Sequence, residues 1–512
     1  MTQAAIAEQA GQMSHREVME ALTGLLLAMF VAMLSSTVVT NALPAIVTDL
    51  HGSQTGYTWV VVATLLTMTA TTPLWGKLAD LFSQKLLVQA ALVIYSTGSL
   101  VAAFAPNMEV LIGARAFQGL GVGGLTALVQ VVIATMVSPR ERGRYSGYIG
   151  AVFATATVSG PLLGGVIVDS ALGWRGCFFV SLPIAALAFV VLQKKLHLPT
   201  YKRDVRIDYA GATLIMAGIS LLLVWVSLVG NQFAWLSGTS AALVAGGVAV
   251  LALATYVEGR IASEPVIPLR LFRDRTTALA TVASVMIGVV MFGGTVYLSQ
   301  YFQLARGMTP TAAGLMSIAM VGGLLATSIV SGRVITRTGL WKRWLVGGTA
   351  LVVLGLALLA TIDARTPLVV VAAFMAILGL GLGTSMQNLV LAVQNSAPAA
   401  DLGAASSMVA AFRTIGASVG VSTFGAVLAH QVAADVGASD HDHGSIPDLG
   451  TLPEPVRALY ETAFGDATGH IFLLAVPLAV IALICVALIE EVPLRTTTGL
   501  AQPDPVREDV LS

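Results

Sequence analysis

The chain has 512 residues, 56% of them hydrophobic and 11% charged, with 27 basic side chains against 27 acidic ones and so no net charge. That balance says nothing about nucleic acid, and with no basic patch to suggest it no nucleic-acid partner is expected, while runs of about 20 apolar residues recur from end to end, long enough to cross a bilayer. The runs are rich in Leu, Ala, Val and Gly and lack the alternation of a membrane barrel, so the chain reads as an all-α polytopic membrane protein surrounded by lipid bilayer.

Taken in order, the runs predict fourteen spans. Residues 1–21 form a cytoplasmic tail, and the first run, Leu22 to Leu43, is long enough to be a retained helix rather than a cleaved signal. It is unusually polar, with Ser35, Ser36, Thr37, Thr40 and Asn41 ahead of Pro44; these side chains either satisfy their own backbone or face a substrate cavity. The second span, Tyr57 to Trp75, runs into WGKLADLFSQK, where Gly76, Asp80 and Lys85 mark the turn toward the third span, Leu86 to Phe104. An aspartate near the end of one helix and a base opening the next form a charge clamp, closed in one conformation and broken in the other.

The fourth span, Val110 to Val137, carries Arg115, Gln118 and Gly119 on one helical face, then GLGVGG and Gln130. A charge inside a span is costly, so Arg115 reads as an inward-facing arginine bonded to a neighbouring helix. The fifth, Tyr145 to Val168, contains GPLLGG; Gly160, Pro161, Gly164 and Gly165 permit tight packing and a kink, and read as a hinge. The sixth, Gly176 to Leu192, completes a six-helix bundle over residues 22–194.

Residues 195–275 read as basic cytoplasmic loops around two inserted spans, Tyr209 to Leu228 and Ser237 to Val257. A second six-helix bundle covers residues 276–490, with spans Thr276 to Phe302, Thr311 to Ser331, Trp344 to Thr361, Pro367 to Val393, Ala404 to Ala429 and His470 to Ile489, before a cytoplasmic tail, residues 491–512. It repeats the first: Gly332, Thr336 and Gly339 keep the spacing of Gly76, Asp80 and Ser83, and Gly379, Gly381 and Gly383 that of Gly119, Gly121 and Gly123. Parallel repeats of this kind place a substrate path between two halves. Candidates for its wall in the second half are Tyr297, Gln300, Tyr301, Gln303, Gln387, Asn388, Gln394 and Asn395, and Arg413 lies deep in its span, followed by Gly416 and Gly420.

With the N-terminus inside, 21 of the 27 basic residues fall on inner segments, which puts both termini in the cytoplasm. None of the 27 acids falls in the middle third of a span; the nearest are Asp49, Glu109 and Asp169 toward the outside and Asp80 inside. The longest outer connection, residues 431–469, holds seven acids and a His441, Asp442, His443 triplet that lacks a third metal ligand, so no metal or other cofactor is expected. Cys177 and Cys485 sit in separate apolar runs as packing residues.

These motifs resemble the major facilitator superfamily, and within it the fourteen-span drug/proton antiporters of bacterial plasma membranes. GKLADLFSQK looks like that superfamily's loop signature, with Leu81 where a base is usual and Ser83 where glycine is usual; RAFQGLG (Arg115 to Gly121) looks like its proton-coupling signature and GPLLGG like its antiporter signature. SQYFQLARGMTPTAAG and FRTIGASVG are similar to second-half patterns of the same branch. In LSSTVVTNALP (Leu34 to Pro44), Ser35 replaces the family's intramembrane aspartate and Thr40 its asparagine. The resemblance implies a non-enzymatic secondary exporter of amphipathic small molecules, exchanging them for protons as two halves rock. Arg115 and Gln118 would tune coupling, and Asp49, Glu109 or Asp169 would supply the titratable group. An exporter of one endogenous antibiotic, metabolite or lipid is the alternative, and a non-transporting membrane sensor a remote one.

Overall fold

The protein was analysed as a computed structural model, which describes residues 15–51, 54–168, 170–196, 198, 208–229, 233–261, 265–398, 401–436 and 453–495. The principal helices are α1 (His15–Asp49), α2 (Gln54–Leu81), α3 (Gln84–Ala103), α4 (Met108–Met136), α5 (Pro139–Val168), α6 (Ser181–Lys195), α7 (Tyr209–Leu228), α8 (Gly238–Arg260), α9 (Arg275–Gln300), α10 (Ile318–Thr338), α11 (Lys342–Leu359), α12 (Leu368–Ser396), α13 (Leu402–Val436) and α14 (Glu454–Leu488). Short turns of helix precede α6 and α10. Among the described residues twelve helical segments are long and apolar enough to cross a membrane. The other two expected spans correspond to α5, whose first turn is charged, and α7, whose apolar stretch Ala210–Val226 is shorter.

The packing has an internal symmetry. In the first half α1 lies on α5 and α6, and α4 lies on α2 and α3; in the second, α9 lies on α13 and α14, and α12 lies on α10 and α11. Across the boundary the exchange is reciprocal, α2 against α13 and α5 against α10, as expected of parallel repeats about an axis along the membrane normal. The repeated glycines make close crossings inside each half, of α4 on α3 and of α12 on α11. A Cβ on Gly121 would come within 2.5 Å of the Tyr95 amide nitrogen on α3, and one on Gly381 within 2.5 Å of the Val352 amide nitrogen on α11. Only glycine lets these backbones approach so closely.

Side-chain contacts define two faces. The starts of α3, α5 and α13 and the ends of α2, α6 and α12 share one, here the basic face; the end of α1, the α11–α12 connection and the Gln431–His470 contact of α13 with α14 share the other. The inserted pair α7 and α8 pack on each other, and α7 also lies on α2 and α13, where Ala212, Ile215 and Ile219 form an apolar core with Ala70. On its way to α9 the chain is tied down twice. Glu258 accepts the Val266 and Ile267 amides at 2.7 and 3.1 Å, and Arg270 makes a two-pronged ion pair with the buried Asp401 at 2.8 Å.

One connection differs from expectation. Most of the flanks of residues 431–469 are helical, since α13 continues to Val436 and α14 begins at Glu454. The intervening residues, with His441, Asp442 and His443, lie outside those described.

Candidate functional site

Asp80 closes the basic face. It sits one residue before the end of α2, and its two carboxylate oxygens accept the backbone amides of Gly403 at 2.7 Å and Ala404 at 2.9 Å in the first turn of α13. A helix N-terminus presents free amides and a partial positive charge, so an aspartate there is a charge-assisted latch. The approach requires two glycines: a Cβ on Gly76 would overlap Ser407 Oγ, and one on Gly403 would overlap the Gly76 carbonyl. Lys85 is not part of the latch, in contrast to the sequence expectation. Its ammonium donates to the Gln193 carbonyl at 2.7 Å and staples α3 to α6 within one half.

A second tie lies beside it. Arg142, buried at the start of α5, donates to the Ala134 and Val137 carbonyls and reaches the other half at Gln394 Oε1, 2.6 Å away. Gln394 in turn donates to Ser406 on α13 at 2.9 Å. After α14 an extended segment crosses this face. Asn395 donates to the Pro493 carbonyl and accepts the Arg495 amide, the Arg495 guanidinium donates to the Ala397 carbonyl, and the Arg140 amide donates to the Arg495 carbonyl at 3.3 Å. Sequence reading missed Arg142, Arg270, Asp401 and Gly403 as site residues. Only the small run of bases at 140–144 could have pointed to the first.

Arg115 is buried and satisfied. It donates to the Val60 carbonyl on α2 at 3.3 Å and to Gln118 Oε1 at 2.5 Å. Gln118 passes the contact on to Ser35 Oγ on α1 at 3.1 Å and Ser99 Oγ on α3 at 2.6 Å. The serine that departs from the family pattern therefore lies one hydrogen bond from Gln118 and two from Arg115.

Several expected wall residues are spent inside the bundles. Tyr297 is buried, with its hydroxyl on the Val421 carbonyl, and Tyr301 is fully buried, donating to the Asp363 carbonyl at 2.7 Å. Neither presents its ring to a ligand, because each phenol satisfies a backbone acceptor in a helix crossing. Thr37 donates to the Ala156 carbonyl at 3.2 Å and abuts Gly160, so Gly160 forms a seam between α1 and α5. Asn388 is buried and bonded to the Thr384 carbonyl, and Gln300 has a buried Oε1 without a partner. Gly164 is buried in α5. Gln130, Gln387 and Arg413 are partly exposed, and none has a hydrogen-bond or ion-pair partner among the described residues.

The acids expected to titrate are peripheral. Asp49 accepts Trp174 Nε1 at 2.8 Å and the Arg175 guanidinium at 2.9 Å, and these two bonds, the indole's first, hold its carboxyl below the usual range. Glu109 is exposed in the first turn of α4. Asp169 lies outside the described residues, as do the side chains of Thr40, Asn41, Pro161 and Gly165.

Residues 25–421 match the family profile described as Major Facilitator Superfamily. The efflux pump dotC of Dothistroma septosporum is 34% identical over 93% of this chain and 84% of its own length. The multidrug transporter protein MdtP of Bacillus subtilis is 33% identical over 82% of this chain and 76% of its own. Among solved structures, the proton:xylose symporter XylE superposes with a TM-score of 0.60 at 13% identity, covering 95% of this chain and 98% of that one, a likeness of fold alone.

Proposed function

The chain belongs to the Major Facilitator Superfamily and is a multi-pass membrane transporter, not an enzyme, and from that premise we propose that it exports amphipathic small molecules across a bacterial plasma membrane in exchange for protons. The bundles of residues 22–194 and 276–490 rock about the boundary between α2 and α13 and between α5 and α10, carrying the inserted pair of residues 195–275 on one flank. The basic face is cytoplasmic.

The observation that carries this reading is the Asp80 latch. A carboxylate on one half that holds the helix start of the other is a contact made in one state and lost in the other, as alternating access requires. The conformation described is then the one sealed toward the cytoplasm. Only the ionised carboxylate accepts both amides, so a proton on Asp80 weakens the seal, which gives proton uptake a mechanical consequence. Arg115 and Gln118 adjust the seating of α4 against α1, α2 and α3, and the efflux names of dotC and MdtP support the direction of transport.

Flux of a dye from proteoliposomes containing the purified chain, with and without an imposed pH gradient, tests the proposal. Gradient-dependent movement supports it. Movement at the same rate without a gradient would remove protons from the cycle. The narrower reading, export of one endogenous metabolite, is favoured by Ser35 standing where the family carries an acid.

A further inference from the structure

We propose that Glu258 and Asp208, at the basic end of the inserted pair, form a further proton-accepting site that positions the gate between α2 and α13; the inference rests on the reading that the halves part along that boundary. Among the described residues only two acids are buried, Asp401 and Glu258. Asp401 is neutralised by Arg270, whereas Glu258 has no ion pair and is satisfied by backbone amides alone. A carboxylate held in that way loosens its hold when it takes a proton.

What Glu258 holds is a wedge in the moving boundary. From the last turn of α8 its carboxylate accepts the Val266 amide at 2.7 Å and the Ile267 amide at 3.1 Å. Val266 and Ile267 belong to one apolar cluster with Ala70 and Leu74 of α2, in the first half, and Ile415 of α13, in the second. Three residues beyond Ile267, Arg270 grips Asp401, just ahead of the two amides that Asp80 accepts. Parting α2 from α13 on this flank therefore splits the cluster in which the wedge is seated, and Glu258 fixes the wedge there.

Asp208 supplies the second part of the site. It caps α7, with Oδ1 accepting the Gly211 amide at 2.8 Å, while Oδ2 is buried without a hydrogen-bond partner. A Cβ on Gly211 would overlap that oxygen and come within 3.2 Å of Glu258 Cγ, so the two carboxylates meet across one bare backbone position. Like charges placed so closely out of water share a proton rather than both ionise. The proton turns one Glu258 oxygen into a donor, for which Asp208 Oδ2 is the acceptor at hand, and leaves a single acceptor for two amides. Of the other charges around Glu258, the buried Lys77 of α2 lies within Coulombic reach of both Glu258 and Asp80 and so joins the site to the latch. Arg270 is committed to Asp401, Arg260 and Arg273 are exposed, and α7 carries no charge.

The test reads the α2–α13 distance at the basic face with spin labels, on full-length protein in lipid nanodiscs, across a pH series. Glu258→Gln has the shape of the protonated residue. Its ratio of cytoplasm-open to closed protein is expected to exceed the natural one by about tenfold at alkaline pH, with the difference closing in acid as the natural carboxylate takes its proton. Asp208→Asn is the variant that spares the fold, since asparagine caps a helix as well as aspartate does. Without the like charge Glu258 holds a proton less firmly, so opening in acid should move down by about one pH unit. An Asp208→Asn profile that coincides with the natural one overturns the proposal, and so does a Glu258→Gln excess that persists undiminished into acid, the mark of a packing defect. Opening in Asp80→Asn, with Glu258→Gln at the natural ratio at every pH, sinks the site and keeps the latch. A distance that no variant and no pH alters, while dye flux continues in proteoliposomes, sinks the moving boundary and the site with it.

Discussion

Asp80 and Gly403, on helices from opposite halves of the chain, meet as carboxylate and amide at 2.7 Å, and the Ala404 amide doubles the contact at 2.9 Å. Asp80→Asn keeps the shape and removes the charge. Asparagine keeps one acceptor and forfeits the other, and a charge-assisted hydrogen bond contributes about 1.5–3 kcal/mol, so the equilibrium should move toward the cytoplasm-open state by roughly tenfold to a hundredfold. Spin-label distances between α2 and α13 at the basic face read this directly; an unchanged distance distribution would mean that the latch does not set the state.

Gly76→Ala should loosen the same boundary by sterics alone, since the added methyl overlaps Ser407 Oγ; overpacking of this kind costs about 1–3 kcal/mol. Gly113→Ala on α4, where a Cβ would meet nothing within 4 Å, is the matched control. Transport should fall in the first variant and persist in the second. Equal rates in both would show that the close approach is dispensable.

Ser35→Asp places a carboxylate where Gln118 Nε2 donates at 3.1 Å, within reach of the Arg115 layer. The variant should gain pH-dependent flux of a cationic dye such as ethidium, by about tenfold over the natural protein, since an opposite charge in a low dielectric outweighs a neutral hydroxyl. Ethidium flux that stays at the level of the natural sequence would show that this layer is structural.

The Asp49 carboxyl is held below its ordinary range by Trp174 and then Arg175, so its folded value lies beneath the unfolded one of about 3.9. The stability it contributes is present above the unfolded value and is lost as pH falls through the folded one. Asp49→Asn should therefore unfold at lower temperature than the natural protein at neutral pH, with the difference closing in acid below about pH 3.9. Its transport profile above about pH 5 should match the natural one, because the group stays ionised there. A displaced profile would return Asp49 to the coupling path.

Apolar runs and repeated glycines made the helices and the duplication readable, because a span must be long and apolar and a crossing must be bare. Gly121 and Gly381 do the same work on α3 and α11, and spacing alone paired them. Contacts between distant segments were another matter. Lys85 follows Asp80 by one turn and looked like its partner, yet the partner is an amide more than 300 residues away, and a backbone donor leaves no mark in a side-chain pattern. Tyr297 and Tyr301 misled in the opposite way. An aromatic with a hydroxyl suits a binding wall as well as a helix crossing, and only the acceptors at Val421 and Asp363 distinguish the two.

The segment that leaves α14 is bonded to Asn395 and Ala397 in one half and, at Arg495, to the Arg140 amide in the other. A short tether fixed on both banks of a moving boundary behaves as a strain gauge: it slackens or tears whenever the banks part. A fluorophore at Leu494, a buried residue of that tether, would report each opening of the cytoplasmic face as a change of environment, turnover by turnover.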